Sequence, residues 1–122
     1  MKDDIRRQLN AVWGTSGDDV YAVGSGGVML HYNGTDWSEV EPNSWIDFQS
    51  IYGNSRGNIY AVGDSVSHYN GSEWTEIGGE IPSELGYRMT DVWVSGSNDV
   101  YMVGEEYIQS TIAVEYTCQD EI

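Results

Sequence analysis

His31 and His68 occupy matching places in the chain: each opens the string His-Tyr-Asn-Gly-x-x-Trp, at 31–37 and again at 68–74. Two imidazoles on separate modules could join carboxylates around a metal ion. The other chemistry open to them is structural, a hydrogen bond made inside the module that carries each ring. Glu115 falls at the corresponding place in a third, looser copy, which suits a polar structural position better than a uniform metal site. No metal or other cofactor is therefore expected. Asp19, Asn58 and Asp99 recur at spacings of 39 and 41 residues, and each is expected to accept a backbone N–H at the turn leading into its strand.

Trp13, Tyr52 and Trp93 recur at the same two spacings, each just ahead of a loop rich in Gly, Ser and Asn. An aromatic face beside carboxylate and amide groups suits stacking on a sugar ring, with hydrogen bonds to its hydroxyls. Trp13, Tyr52 and Trp93, with Asp18 and Asn98 from the loops, are therefore the candidate ligand-binding residues. Packing between modules is the competing role for the three rings, and it is the role expected of Trp37 and Trp74. Catalysis has less to work with. Eighteen carboxylates follow Arg7, but no pair is marked out by an apolar setting that would raise one pKa for glycoside hydrolysis. No catalytic residue is assigned, and an enzyme is not expected.

These residues need elements to hold them. Residues 9–40 are written out again at 48–77, and 89–104, MTDVWVSGSNDVYMVG, begins a third copy. A period near 40 with short apolar strands indicates units that stack on their neighbours. The first copy predicts strands at 9–14, 20–23, 28–32 and 37–41; the second predicts them at 48–53, 59–62, 66–69 and 74–77. Asn33-Gly34 and Asn70-Gly71 predict tight hairpins, since both residue types accept positive φ. Val20 to Val23 put apolar or aromatic side chains on both faces of one strand, as in a sheet covered on both sides. In the third copy, Ile112–Tyr116 can be laid on Val28–Tyr32 once an insertion is allowed ahead of it; the Asn-Gly turn and the tryptophan strand are then missing. The expected fold is all-β: a segment at 1–8, then three antiparallel sheets of four strands over 9–41, 48–78 and 89–122, the third incomplete. The β-branched and aromatic density and the closely spaced Gly turns exclude a helical repeat.

The pattern Val-Trp-Gly, Asp-Val-Tyr-Ala-Val-Gly, His-Tyr-Asn-Gly-x-x-Trp resembles tandem β-propeller repeats of bacterial secreted and surface proteins. It is more distantly similar to the Asp-box propellers of the sialidase type, although Tyr32 and Tyr69 stand where that pattern has an acidic residue or Asn. The resemblance implies that each sheet is a propeller blade and that the protein is secreted or displayed on the cell surface. A sialidase-like mechanism would need three arginines on the substrate carboxylate, and the repeats hold only Arg56 and Arg88.

Charge narrows the partners. The chain carries 20 acidic against 5 basic residues, a net −15. Nucleic acid and an anionic membrane surface would be repelled. Cys118 is the only cysteine, so no internal disulfide forms. MKDDIRRQLN has no apolar stretch behind its cations, so without an added leader a cytoplasmic location is expected. Closed propellers use about 4–8 blades, so a three-blade chain is expected to complete its ring by forming a homo-oligomer, a dimer by preference. The segments 2–8 or 117–122 could supply an edge strand at the join. Two functions fit: a non-enzymatic module recognising carbohydrate or protein through its loop face, or an assembly unit that closes a ring and takes no small ligand.

Overall fold

The structure is a computed structural model and describes residues 8–40, 47–77, 87–95, 99–106 and 111–117. Every strand in it is antiparallel to its neighbours, and the strands form three separate sheets, each a simple meander. The first sheet holds β1 (Leu9–Ser16), β2 (Asp19–Gly24), β3 (Met29–Tyr32) and β4 (Trp37–Glu39). The second holds β5 (Phe48–Ser55), β6 (Asn58–Gly63), β7 (Val66–Tyr69) and β8 (Trp74–Glu76). In the third, β9 (Tyr87–Val94), β10 (Asp99–Glu106) and β11 (Thr111–Thr117) are the described strands.

Register ties the three sheets together. Trp13 faces Tyr21, Tyr52 faces Tyr60 and Trp93 faces Tyr101. One strand further, Tyr21 faces His31, Tyr60 faces His68 and Tyr101 faces Glu115. Irregularities fall at the same offsets in the first two sheets, between Leu9 and Ala11 and between Phe48 and Ser50. At the far end of each second strand the backbones come close together. A Cβ added at Gly24, Gly63 or Gly104 would overlap the carbonyl oxygen of Gln8, Asp47 or Arg88. Only glycine fits these three places.

The structure corrects several details of the sequence reading. β1 and β5 run on to Ser16 and Ser55, so the turns shrink to Gly17-Asp18 and Arg56-Gly57. β4 and β8 end at Glu39 and Glu76, and β9 starts at Tyr87 rather than Met89. The Asn-Gly turns are four-residue loops instead of two-residue reversals. Asn33 Oδ1 accepts the Thr35 and Asp36 backbone N–H groups at 2.9 and 3.0 Å, and Asn70 Oδ1 does the same for Ser72 and Glu73. Asparagine serves here as a side-chain cap of the loop, and the positive φ falls on Gly34 and Gly71.

Two apolar layers hold the sheets together. Tyr21, Val23 and Met29 of the first sheet meet Phe48, Ile51, Ile59 and Ala61 of the second. Tyr60, Val62 and Val66, from the other side of the second sheet, meet Met89, Val92, Val94, Val100 and Met102 of the third. Ile59, Tyr60, Ala61 and Val62 are consequently each at 0% exposure, the mark of a strand covered on both faces. β10 differs. Val100 and Met102 are buried, whereas Tyr101 and Val103 are 42% and 47% exposed, so the third sheet is covered on one face only. The first strands β1, β5 and β9 are neighbours in that order.

Candidate functional site

The two histidines are structural. His31 Nε2–H donates to Asp19 Oδ1 at 2.7 Å, and His68 Nε2–H donates to Asn58 Oδ1 at 2.8 Å. Each ring therefore ties the third strand of its sheet to the start of the second. The adjoining tyrosine lies across it, with Tyr21–His31 and Tyr60–His68 centroids both 4.4 Å apart. Asp19 also accepts from the Thr15 hydroxyl at 2.5 Å, and Arg56 Nε lies 3.9 Å from it. Sequence reading expected Asp19 and Asn58 to accept backbone N–H groups; their oxygens go to the imidazoles instead. Burial alone would raise the Asp19 pKa, but the hydrogen bonds from Thr15 and His31 and the Arg56 charge outweigh it and hold the carboxyl below its usual range. Burial pushes the His68 imidazole down, because charging it in an apolar setting is unfavourable. No three His, Cys, Asp or Glu side chains converge among the described residues.

The aromatic set is split by the fold. Trp13 and Tyr52 come together, with ring centroids 6.2 Å apart. Both are half-buried, Trp13 against the layer between the first two sheets and Tyr52 against the layer between the second and third. Trp13 also lies over Gly53, where an added Cβ would come 3.0 Å from the ring. Trp93 is 53% exposed and has Tyr101 of its own sheet as ring neighbour, 6.0 Å away. Trp13 and Tyr52 lie three residues before the ends of β1 and β5, whereas Trp93 is the last but one residue of β9. Asp18 is exposed in its turn, where it accepts from the Ser16 hydroxyl at 2.5 Å and lies 3.8 Å from Arg56 Nη2. Asn98 lies outside the described residues.

Comparison with protein-family models, with curated proteins and with solved structures finds no match to this chain.

Two other features of the surface stand out. The first is the uncovered face of the third sheet, with Trp93, Tyr101 and Val103 exposed. Register makes these the counterparts of Trp13, Tyr21 and Val23, the residues through which the first sheet packs on the second. On the outer face of the first sheet Leu9 and Val12 are 44% and 65% exposed, while Ala22 and Leu30 are buried. Their counterparts in the second sheet, Phe48 and Ile51, are buried under the first. The second feature is a cleft of about 500 Å³ between the first two sheets, lined by Tyr21, His31, Tyr69, Trp74 and a polar rim. The paired strings at 31–37 and 68–74 hold several of its residues. Sequence reading gave Trp74 a packing role only, because spacing along one chain does not reveal which sheets meet.

Proposed function

We propose that the chain is a non-enzymatic assembly module, a set of three β-propeller blades whose open faces seat against a second copy of itself. The observation that carries this reading is the complementarity between the uncovered face of the third sheet and the exposed apolar residues on the outer face of the first. Inside the chain, the face bearing Trp13, Tyr21 and Val23 is covered by the face bearing Phe48, Ile51, Ile59 and Ala61. The third sheet leaves the first kind of face open, and the first sheet exposes Leu9 and Val12 of the second kind, beside Ala22 and Leu30, which are buried on that same face. Tyr21 sits with its ring centroid 6.4 Å from Tyr69 and 5.8 Å from Trp74. At the proposed join, Tyr101 of one copy would take that place on Tyr32 and Trp37 of the other, which already pair at 5.2 Å.

Large exposed apolar residues on a sheet face are a marker of an interaction surface. Two chains related by a two-fold axis would form both joins at once and identically, giving six sheets, inside the usual range for a closed propeller. The net charge of −15 opposes association, so the join should tighten as salt screens the repulsion. Recognition of carbohydrate or protein through Trp13, Tyr52 and Trp93 has less support, because two of those rings are engaged in packing. The non-enzymatic reading is supported by polar clusters that close on themselves: the Asp19 carboxylate is already taken by Thr15 and His31. Size-exclusion chromatography of Trp93→Asp against the parent tests the proposal. A shift of the variant to the mass of one chain with unchanged circular dichroism is expected; co-elution of a folded variant with a dimeric parent contradicts it.

A further inference from the structure

The cleft between the first two sheets has an observation of its own. Tyr21 is 6% exposed, and it lines the cleft, yet its hydroxyl makes no hydrogen bond among the described residues. The hydroxyl oxygen itself is reached by solvent, so it opens onto the cleft and can pair with whatever fills it. Burial pushes its pKa up to about 12, so it stays a neutral phenol that can donate as well as accept. Tyr69 and Trp74 form the wall, paired at 5.3 Å with 31° between their planes, and both are half-buried while lining the cleft. At the rim are the Ser38 and Ser72 hydroxyls and the exposed Glu73 carboxylate.

We infer that this cleft binds a neutral sugar ring, which lies on the Tyr69–Trp74 wall and hydrogen-bonds the Tyr21 hydroxyl. The chemistry selects the class. Among the described residues no Lys or Arg lines the cleft, and Glu73 stands at its rim, so a phosphate or carboxylate ligand is disfavoured. Caging a quaternary ammonium requires aromatic faces spread around a gap. Here Tyr21, Tyr69 and Trp74 lie 5.3–6.4 Å from one another, too close to leave such a gap between them. What is left is one aromatic wall with hydroxyls around it, which matches the apolar C–H face and the equatorial hydroxyls of a pyranose. The volume lies within the roughly 300–1,000 Å³ range of small-molecule sites. The site is independent of the proposed self-assembly, because both of its walls belong to one chain.

The test is a tryptophan-fluorescence and saturation-transfer NMR titration with the methyl glycosides of glucose, galactose, mannose and N-acetylglucosamine and their β-linked disaccharides. Tetramethylammonium serves as the competing probe. Saturable binding of at least one sugar is expected, with a dissociation constant on the order of millimolar for a single ring. Tyr21→Phe, which removes only the hydroxyl, should weaken binding several-fold, and Trp74→Ala by tenfold or more. Thr90→Ala, at an exposed position on the far sheet, should leave affinity unchanged, and heteronuclear NMR spectra of each variant check that the fold persists. Failure of every sugar to saturate the folded protein overturns the inference. So does tetramethylammonium binding where sugars do not, or equal affinity in parent and Tyr21→Phe.

Discussion

Asp19 is 5% exposed, and its two oxygens are used by different donors, His31 on one and Thr15 on the other. Removing the acceptor while leaving the donors buried is the costly direction of change, so Asp19→Ala should lose about 1–3 kcal/mol in urea unfolding. Asp19→Asn should cost much less, because the second sheet already uses asparagine there, with Asn58 accepting from His68 at 2.8 Å. The pH dependence follows from which state holds its proton more tightly. His68 is harder to protonate in the folded chain than in the unfolded one. Its contribution to stability is therefore complete above about pH 6.5 and declines as pH falls through the lower folded value. Asp19 is likewise depressed, so its contribution is complete above about pH 3.9 and is lost as pH falls through its folded value. Unfolding midpoints measured from pH 8 to pH 3 should decline in two stages, and His68→Asn should flatten the upper one. A single decline confined to pH below 4 would contradict the His68 assignment.

At the level of elements, each second strand ends on a glycine that a first-strand backbone crosses closely. Gly63→Ala must move backbone rather than a flexible side chain, and overpacking of this kind costs about 1–3 kcal/mol. The expected result is a lower denaturant midpoint with little change in slope. Asn70→Ala removes the acceptor for two backbone N–H groups and should cost about 1 kcal/mol. Most of this level could be read from the residues. The matching strings of Leu9–Val40 and Phe48–Ile77 carry the strand order and pairing of two sheets. The alignment of Ile112–Tyr116 on Val28–Tyr32 agrees with the register of β11 on β10. Less legible was anything decided by three-dimensional neighbours. The Asn-Gly pair looked like a two-residue reversal because residue type does not show that the asparagine amide would cap a wider loop. Trp13 and Tyr52 looked available for a ligand because a half-buried packing ring and an exposed stacking ring have the same spacing. The cleft beside Tyr21 was invisible for a related reason: Tyr21 and Trp74 are 53 positions apart and meet only because two sheets stack.

Across the whole molecule, the second sheet is buried on both sides, the third is covered on one, and the first exposes Leu9 and Val12 on an outer face where Ala22 and Leu30 are buried. This gradient gives the proposed assembly its physical basis: exposed apolar residues of opposite kind, Trp93, Tyr101 and Val103 at one end and Leu9 and Val12 at the other, opposed by a strong negative charge. Val103→Glu should weaken self-association without unfolding the chain, since Val103 is 47% exposed. Trp93→Asp should do the same and also remove an exposed fluorophore whose emission shifts to the blue on association. The most direct measurement is static light scattering of the intact chain over a concentration series, at low salt and again at about 0.5 M salt, where the screening length falls to a few ångströms. The account expects a particle of twice the 13.6 kDa chain mass, favoured at higher salt and reaching a plateau as the ring closes. A folded particle of single-chain mass at high micromolar concentration and high salt would contradict it, as would growth in mass without a plateau.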